Sequence, residues 1–217
     1  MTLIKDWVFI HIPRTGGTYI ESLFDINWTL VNEDETNENN KNNLFGVYRL
    51  NGRLFTLQHL TATELSVFFN EYILYKKFTV VRNPYHRIIS LWDNHREHFA
   101  DYSFTDFLEL LKEKNVSQYD HNGRGEGDYL SSLKYHFIPQ HLYTHNEYGK
   151  QLVDTIFYYE SMGIKWFLSY KLGRGETIAF SEQKPKEYYE KYLSASAIEL
   201  INNIYKKDFE IFKYQMR

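Results

Sequence analysis

Residues 7–24 read WVFIHIPRTGGTYIESLF, and this stretch decides the fold. The apolar run over about residues 6–12 predicts a buried β-strand, and the segment from Gly17 to Phe24 predicts a helix. Gly16 and Gly17 between them predict a tight turn. Such a turn directs backbone N–H groups and the positive end of a helix dipole at one point, which suits a bound phosphate or sulfate.

This loop differs from the phosphate-binding loop of nucleotidases. That loop follows the pattern G-x-x-x-x-G-K-[ST], which here would begin at His11 and end at Thr18. His11 replaces the first glycine, Gly17 replaces the lysine, and the cation Arg14 lies inside the loop instead. The segment therefore keeps an anion cradle and a hydroxyl, and indicates an oxyanion-transfer enzyme that is not an ordinary ATPase.

Two motifs resemble those of sulfotransferases that use 3′-phosphoadenosine 5′-phosphosulfate (PAPS), with the carbohydrate sulfotransferases most similar. Residues 11–18, HIPRTGGT, resemble the 5′-phosphosulfate loop H-I-P-K-T-G-G-T/S. Residues 78–90, FTVVRNPYHRIIS, resemble the 3′-phosphate motif, a strand that ends in R-[DN]-P-Y-x-R-x-x-S. Weaker similarities follow in family order at residues 137–140, 153–160 and 204–214, so the resemblance covers nearly the whole chain.

The resemblance implies which residues hold the donor PAPS, whose product is 3′-phosphoadenosine 5′-phosphate (PAP). Arg82 and Ser90 are expected at the 3′-phosphate, although Arg82 is also suited to a salt bridge. For Arg87 the motif leaves phosphate contact and a surface position open. The 5′-phosphosulfate is expected to lie against the loop residues Pro13, Arg14, Thr15, Gly16, Gly17 and Thr18.

Two residues are expected to be catalytic. Arg14 replaces the usual lysine of the family and is expected to stabilise the departing phosphate as negative charge builds there. His59 is the expected general base, because several carbohydrate sulfotransferases place a catalytic histidine between the two motifs and a near-neutral pKa suits this role. Alternative bases are His95, His98 and Glu160, although Glu160 is expected first of all to order the active-site wall or the cofactor loop.

The other candidate residues have structural alternatives. His11 is expected to pack or form a hydrogen bond, and Trp92 to belong to the core. A metal site at His136, His141 and His145 is a weak alternative, since spacing fixes no further ligand and the resembled family needs no metal, so none is expected. Three tyrosines are candidates either for the core or for an acceptor cleft that stacks on sugar rings, namely Tyr129, Tyr135 and Tyr143.

The remaining pattern predicts one α/β domain over residues 1–217, with a mainly parallel central sheet flanked by helices as in P-loop nucleotidases. Asn51-Gly52 predicts a hairpin turn between residues 45–50 and 53–57. Strands are also expected at 77–82 and 155–159, and loops at 31–43 and 122–128. Helices are expected from Thr61 to about Tyr72, from Pro84 to about His95, over 104–114 with Ser103 as N-cap, after Ser161, and over 195–209.

Composition indicates which partners, covalent links and cellular location to expect. The chain has 217 residues, a net charge of −3 and no cysteine, so we expect no nucleic-acid partner and no disulfide. No apolar run is long enough to span a bilayer, and we expect a soluble cytoplasmic protein.

The predicted function is in-line transfer of a sulfuryl group from PAPS to an acceptor hydroxyl, with a carbohydrate as the acceptor that the resemblance favours. The alternatives are a P-loop small-molecule kinase and a non-catalytic module that binds a nucleotide or a sulfated glycan. Neither the acceptor's identity nor the oligomeric state can be derived from these residues.

Overall fold

The computed structural model describes residues 2–4, 6–24, 47–50, 53–68, 74–119, 134–161, 163–173 and 184–217. The loops expected at 31–43 and 122–128 lie outside the described residues, as does the Asn51-Gly52 turn.

A four-stranded sheet lies at the centre of the fold. Its strands are β1 (Thr2–Ile4), β2 (Trp7–Ile10), β5 (Lys76–Val81) and β6 (Thr155–Tyr158), in the order β1-β2-β5-β6. The strands β2, β5 and β6 are parallel and β1 is antiparallel to β2, which confirms the mainly parallel sheet. A separate antiparallel pair, β3 (Val47–Leu50) and β4 (Arg53–Thr56), forms the two arms of the predicted hairpin.

Both faces of the parallel sheet are covered, because alternate residues of one strand belong to different apolar clusters. Val8 and Ile10 pack in one cluster, and Trp7 and Phe9 pack in another. All four side chains are buried. This arrangement is typical of a parallel sheet with helices on its two faces.

Ten helices lie in the part of the chain that the structure describes. Six occur in the first two thirds: α1 (Gly17–Ser22), α2 (Ala62–Phe68), α3 (Pro84–His95), α4 (Phe104–Glu113), α5 (Lys134–Phe137) and α6 (His141–Thr144). Four follow: α7 (Gly163–Trp166), which continues as a π-helical turn over Phe167–Lys171, then α8 (Lys186–Glu190), α9 (Ala195–Ile204) and α10 (Lys206–Phe212). Short 3₁₀ turns cover Leu57–His59 and Arg96–Phe99. Among these helices, none has both the length and the apolar composition needed to cross a bilayer.

The predicted helix starts are confirmed by their capping contacts. The backbone N–H of Thr61 donates to Glu64 (2.9 Å), whose own N–H donates to the Thr61 hydroxyl (3.2 Å). Ser103 and Asp106 form the same reciprocal box at the start of α4. Each box satisfies backbone donors that a helix terminus would otherwise leave unpaired.

The single helix expected over 195–209 is wrong. Tyr205 leaves helical geometry (φ −110°, ψ 20°) and separates α9 from α10. Its buried hydroxyl donates to the carbonyl of Phe137 (2.9 Å), while Asp208, one turn later, accepts backbone hydrogen bonds from the start of α6. These tertiary contacts outweigh the local helical pattern.

The topology brings the two motifs together. Ile10 pairs with Thr79 in the parallel register, so the loop after β2 and the segment after β5 emerge at the same edge of the sheet. The segment after β6 emerges beside them, because Val81 pairs with Tyr158. This carboxyl edge is where open α/β sheets bind ligands.

Candidate functional site

The turn after β2 has the conformation that an anion cradle requires. Gly16 has φ 90° and Arg14 has φ 67°, both in the left-handed region. The Thr15 hydroxyl donates to the carbonyl of Ile12 (2.8 Å) and so closes the turn. Gly17 must be a glycine, because a Cβ there would lie 2.0 Å from Cδ2 of His11.

A cavity of about 690 Å³ opens in front of this turn. Eight of the expected site residues line it, namely Pro13, Arg14, Gly16, Gly17, Thr18, His59, Arg82 and Ser90. Eight further residues complete its described wall: His11, Tyr19, Ser22, Gln58, Asn94, His136, Tyr159 and Lys184. The described lining contains three permanent cations, Arg14, Arg82 and Lys184, and no carboxylate, which favours an anionic ligand.

Arg82 is held rigidly at the cavity wall. Its Nη1 donates to the Arg14 carbonyl (3.0 Å) and its Nη2 to the Tyr189 hydroxyl (3.0 Å). Its guanidinium lies 4.6 Å from the ring centre of Tyr159. Its Nε is buried and has no hydrogen-bond partner among the described residues. A buried cation with an unused donor, at the wall of a cavity, indicates an anion-binding position.

The backbone of Arg82 is fixed by two of the weaker motifs. The Gln140 side chain brackets it, since Oε1 accepts from the Arg82 N–H (2.8 Å) and Nε2 donates to the Arg82 carbonyl (2.8 Å). The fully buried Asp208 carboxylate accepts in turn from the N–H of Gln140 (2.8 Å), and from the N–H (2.9 Å) and Nδ1 (2.8 Å) of His141. Three segments distant in sequence therefore form one hydrogen-bonded unit.

The Arg14 side chain lies along α3. Its Nε donates to the Ser90 hydroxyl (3.1 Å) and its Nη1 to Oδ1 of Asn94 (2.9 Å). Partial burial of the guanidinium lowers the pKa of Arg14, and the nearby Arg82 cation lowers it further. Two cations held at one cavity wall repel each other, and a bound anion would relieve that repulsion.

His59 is presented as a neutral base. Its Nδ1 lies 3.2 Å from the carbonyl of His11. Because a carbonyl can only accept, Nδ1 carries the proton and Nε2 keeps its lone pair. Burial lowers the pKa of His59 well below 6.5, and His11 and His136 lower it further. The imidazole is thus neutral at physiological pH and able to accept a proton.

The model of the sulfotransferase family matches residues 5–215, nearly the whole chain. The chain belongs to the sulfotransferase family. Sulfuryl transfer is therefore its general chemistry, and the kinase alternative is set aside. No match was found among curated proteins or solved structures.

In this sulfotransferase, Arg87 does not take the surface position that was one of its two expected places, and its phosphate contact stays a prediction. Arg87 is only 2 % exposed and does not line the cavity. Its guanidinium donates to the carbonyls of Pro13 (3.1 Å), Ile138 (3.0 Å) and His136 (2.9 Å). It thus holds the anion loop against the segment that carries His136. Thr15 is likewise fully buried, and its hydroxyl donates to the carbonyl of Ile12 within the loop.

Glu21 links the anion loop to the segment that carries His59. Its buried carboxylate lies 2.9 Å from Nδ1 of His11 and accepts from Nε2 of Gln58 (3.0 Å). Burial opposes its ionisation, but the contacts with His11 and Gln58 outweigh that cost and lower the pKa of Glu21. His11 therefore forms the hydrogen bond that was expected of it.

The candidates for metal ligands have separate partners. His136 lies against His95, with 3.0 Å between Nδ1 and Nε2, whereas His141 contacts Asp208 and His145 contacts the Thr144 hydroxyl (2.7 Å). Within the described ranges no group of three or more His, Asp or Glu side chains is arranged to hold a metal ion.

Two tyrosines that were candidates for an acceptor cleft belong to the core, and the third, Tyr129, lies outside the described residues. Tyr135 and Tyr143 are at most 2 % exposed. The Tyr135 hydroxyl donates to Glu64 (3.0 Å), and the Tyr143 hydroxyl donates to the Tyr135 carbonyl. Their polar ends are thus satisfied inside the protein rather than offered to a ligand.

The cavity lining also includes residues for which no ligand contact was expected, among them Gln58, Asn94, Tyr159, Lys184 and His136. Asn94 carries the one usable signal, because it lies four residues after Ser90 and hence on the same helix face. His136 was considered only as a metal ligand. Glu160 has the ordering contacts that were expected of it, since it accepts from the N–H of Asn83 (2.8 Å) after β5 and from the Tyr214 hydroxyl (2.8 Å).

Proposed function

We propose that this sulfotransferase moves a sulfuryl group from PAPS to an acceptor hydroxyl, with His59 as the general base. The observation that carries the proposal is that one cavity is lined by the neutral His59, by the anion loop, and by Arg82 and Ser90. A carbohydrate acceptor and a cytoplasmic setting are proposed as well, the first from the family resemblance and the second from the sequence.

The residues present fit the donor. The free Nε of the buried Arg82 suits an anion such as the 3′-phosphate, and Ser90 lines the same cavity. The loop from Pro13 to Thr18 supplies a second anion position that suits the 5′-phosphosulfate. Because ADP and ATP lack the 3′-phosphate, the Arg82 position supplies selectivity against them.

The donor supplies an activated sulfuryl group, whose bond to a phosphate oxygen breaks as the acceptor oxygen forms a new bond to sulfur. His59 takes the acceptor's proton on Nε2, so the acceptor oxygen gains nucleophilic character as it attacks. Arg14 stabilises the electron pair that remains on the departing phosphate. The loop and Arg82 position the donor, which is the main task in a transfer with a loose transition state.

The first test is ligand selectivity, measured by titration calorimetry with PAP, ADP and ATP. We expect PAP to bind most tightly, and Arg82→Ala to weaken PAP binding by about 10- to 100-fold while ADP binding changes little. Equal affinity for PAP and ADP in the wild-type protein would contradict the assignment of the 3′-phosphate position.

The second test is transfer of labelled sulfate from PAPS to a panel of carbohydrate acceptors. His59→Asn keeps an N–H donor for the His11 carbonyl, and we expect it to lower the rate by about 100-fold or more with PAP affinity near wild type. The matched control is His98→Asn, at an exposed histidine outside the cavity lining. Normal turnover by His59→Asn would refute the base assignment, and PAP binding without transfer to any acceptor would favour the non-catalytic module.

A further inference from the structure

Arg14 is anchored to α3 at two points, and the second is Asn94. Ser90 and Asn94 lie one helical turn apart on the same face of α3, and both line the cavity. The guanidinium spans them, with Nε on Ser90 at 3.1 Å and Nη1 on Asn94 at 2.9 Å. The long Arg14 side chain has many rotamers, so these two contacts fix its direction.

This geometry requires an arginine. A guanidinium has five N–H donors in a rigid planar fork, so it can contact two acceptors one helical turn apart and retain donors for a ligand. Two of its nitrogens donate to α3, and no described residue accepts a hydrogen bond from Nη2. A lysine would present a single nitrogen, which cannot reproduce both contacts in a fixed orientation.

The geometry also favours a neutral partner. The Asn94 amide oxygen accepts a hydrogen bond without cancelling the positive charge of Arg14. A carboxylate there would form an ion pair with Arg14 and repel an anionic ligand. The charge of the adjacent Asp93 raises the pKa of Arg14, against the larger effects of burial and Arg82, but the Asp93 carboxylate accepts its hydrogen bonds from the hydroxyls of Tyr188 and Tyr192.

We propose that Asn94 is a positioning residue for Arg14: it holds one edge of the guanidinium against α3, so that the opposite edge faces the anion in the cavity. This inference rests on the proposed function for its kinetic consequence, but the anchoring itself is a property of the protein without ligand. It also gives a reason for the arginine in this loop, where related loops have lysine.

The first test needs no donor. In ¹⁵N NMR spectra of the free protein, the anchored Arg14 is expected to give a resolved Nε–H signal with slow exchange, assigned by its loss in Arg14→Lys. Asn94→Ala should increase the exchange rate of this signal by about tenfold. An unchanged exchange rate in Asn94→Ala would overturn the anchoring, whether or not the protein transfers sulfate.

The second test is a double-mutant cycle on the transfer rate. We expect Asn94→Ala to lower kcat by about tenfold and to change PAP affinity by less than about threefold, because it misdirects Arg14 without removing a ligand contact. In the Arg14→Lys background the same change should alter kcat by less than about twofold. Equal losses in the two backgrounds would overturn the proposal.

The matched control is Asn202→Ala. Like Asn94, Asn202 accepts a hydrogen bond through its amide oxygen, here from the Tyr85 hydroxyl, and it donates to the Arg217 carbonyl, but it lies outside the cavity lining. Its loss should be the same in both backgrounds.

Asn94→Asp tests whether the partner of Arg14 must be neutral. If Asn94 had only a structural role, this substitution of nearly the same shape would have little effect. It keeps the hydrogen bond to Arg14 and adds a negative charge at the cavity, so PAP binding should weaken by about tenfold or more, and less so at high salt. Unchanged PAP binding in this variant would overturn the proposed need for a neutral partner. If the wild-type protein binds PAP but transfers no sulfate, the catalytic proposal fails while the NMR and binding results still decide the role of Asn94.

Discussion

Stability at acidic pH should report the histidines held neutral beside the cavity. Burial and the nearby His95 and Arg87 lower the pKa of His136 to about 3, and burial with Arg14 and His98 lowers that of His95 to about 4. In the unfolded chain both groups would titrate near about 6.5. Below that pH the unfolded state binds protons that the folded state does not, so the free energy of unfolding must fall as the pH decreases.

The magnitude follows from the pKa of His136. Between about pH 8 and about pH 5, a histidine whose pKa falls from about 6.5 to about 3 on folding loses about 2 kcal/mol of stability. His136 keeps some accessible surface, so we expect about 1–2 kcal/mol from this residue. His136→Asn removes the titrating group and should flatten the pH dependence by that amount.

The assay is urea unfolding at both pH values, followed by tryptophan fluorescence, for the wild type and for His136→Asn. The control is Asn202→Ala, which removes polar contacts outside the cavity lining but no group that titrates between these pH values, so it should keep the wild-type pH dependence. A His136→Asn protein that loses as much stability on acidification as the wild type would refute the reasoning, because the cost of protonation would then arise elsewhere.

Three further predictions follow from the site. Because the pKa of His59 lies well below 6.5, kcat/KM should be flat near neutral pH and fall only at acidic pH. A histidine of ordinary pKa would instead make kcat/KM rise with pH between about 6 and 7, and a pH–rate profile distinguishes the two. Gly17→Ala should lower both PAP affinity and the melting temperature, because its Cβ would lie 2.0 Å from Cδ2 of His11; wild-type PAP affinity in a calorimetric titration would contradict this. Asp208→Asn should lower the free energy of unfolding in urea by about 2 kcal/mol and weaken PAP binding, since Gln140, which holds the backbone of Arg82, loses its carboxylate acceptor.

The parts of the fold that follow from short-range pattern could be predicted. The alternation of strands and helices, the glycine turn, the capping boxes at Thr61 and Ser103 and the start of α3 at Pro84 each depend on a few neighbouring residues. The family resemblance added the expectation that two distant motifs share one site. One domain over residues 1–217 stays a prediction, as do the ligand roles of the individual site residues.

What could not be predicted depends on side chains that reach between segments. Arg87 has the residue type and spacing of a phosphate ligand, but its three carbonyl partners come from the anion loop and from residues 136–138, which only the folded chain brings near α3. Tyr135 and Tyr143 were undecided between the core and an acceptor cleft for the same reason. The interruption at Tyr205 also follows from tertiary contacts, since apolar residues recur at helical spacing on both sides of it.

The brace from Asp208 through Gln140 to Arg82 has a consequence for how the protein becomes active during synthesis. Gln140, which fixes the backbone of Arg82, is itself held by the carboxylate of Asp208, 68 positions further along the chain. A nascent chain can form β2, the glycine turn and β5 early, but Arg82, the proposed 3′-phosphate ligand, gains its support only when α10 has left the ribosome. Chains that end before Asp208 should therefore lack the fixed Arg82 backbone, and we expect them not to bind the proposed donor.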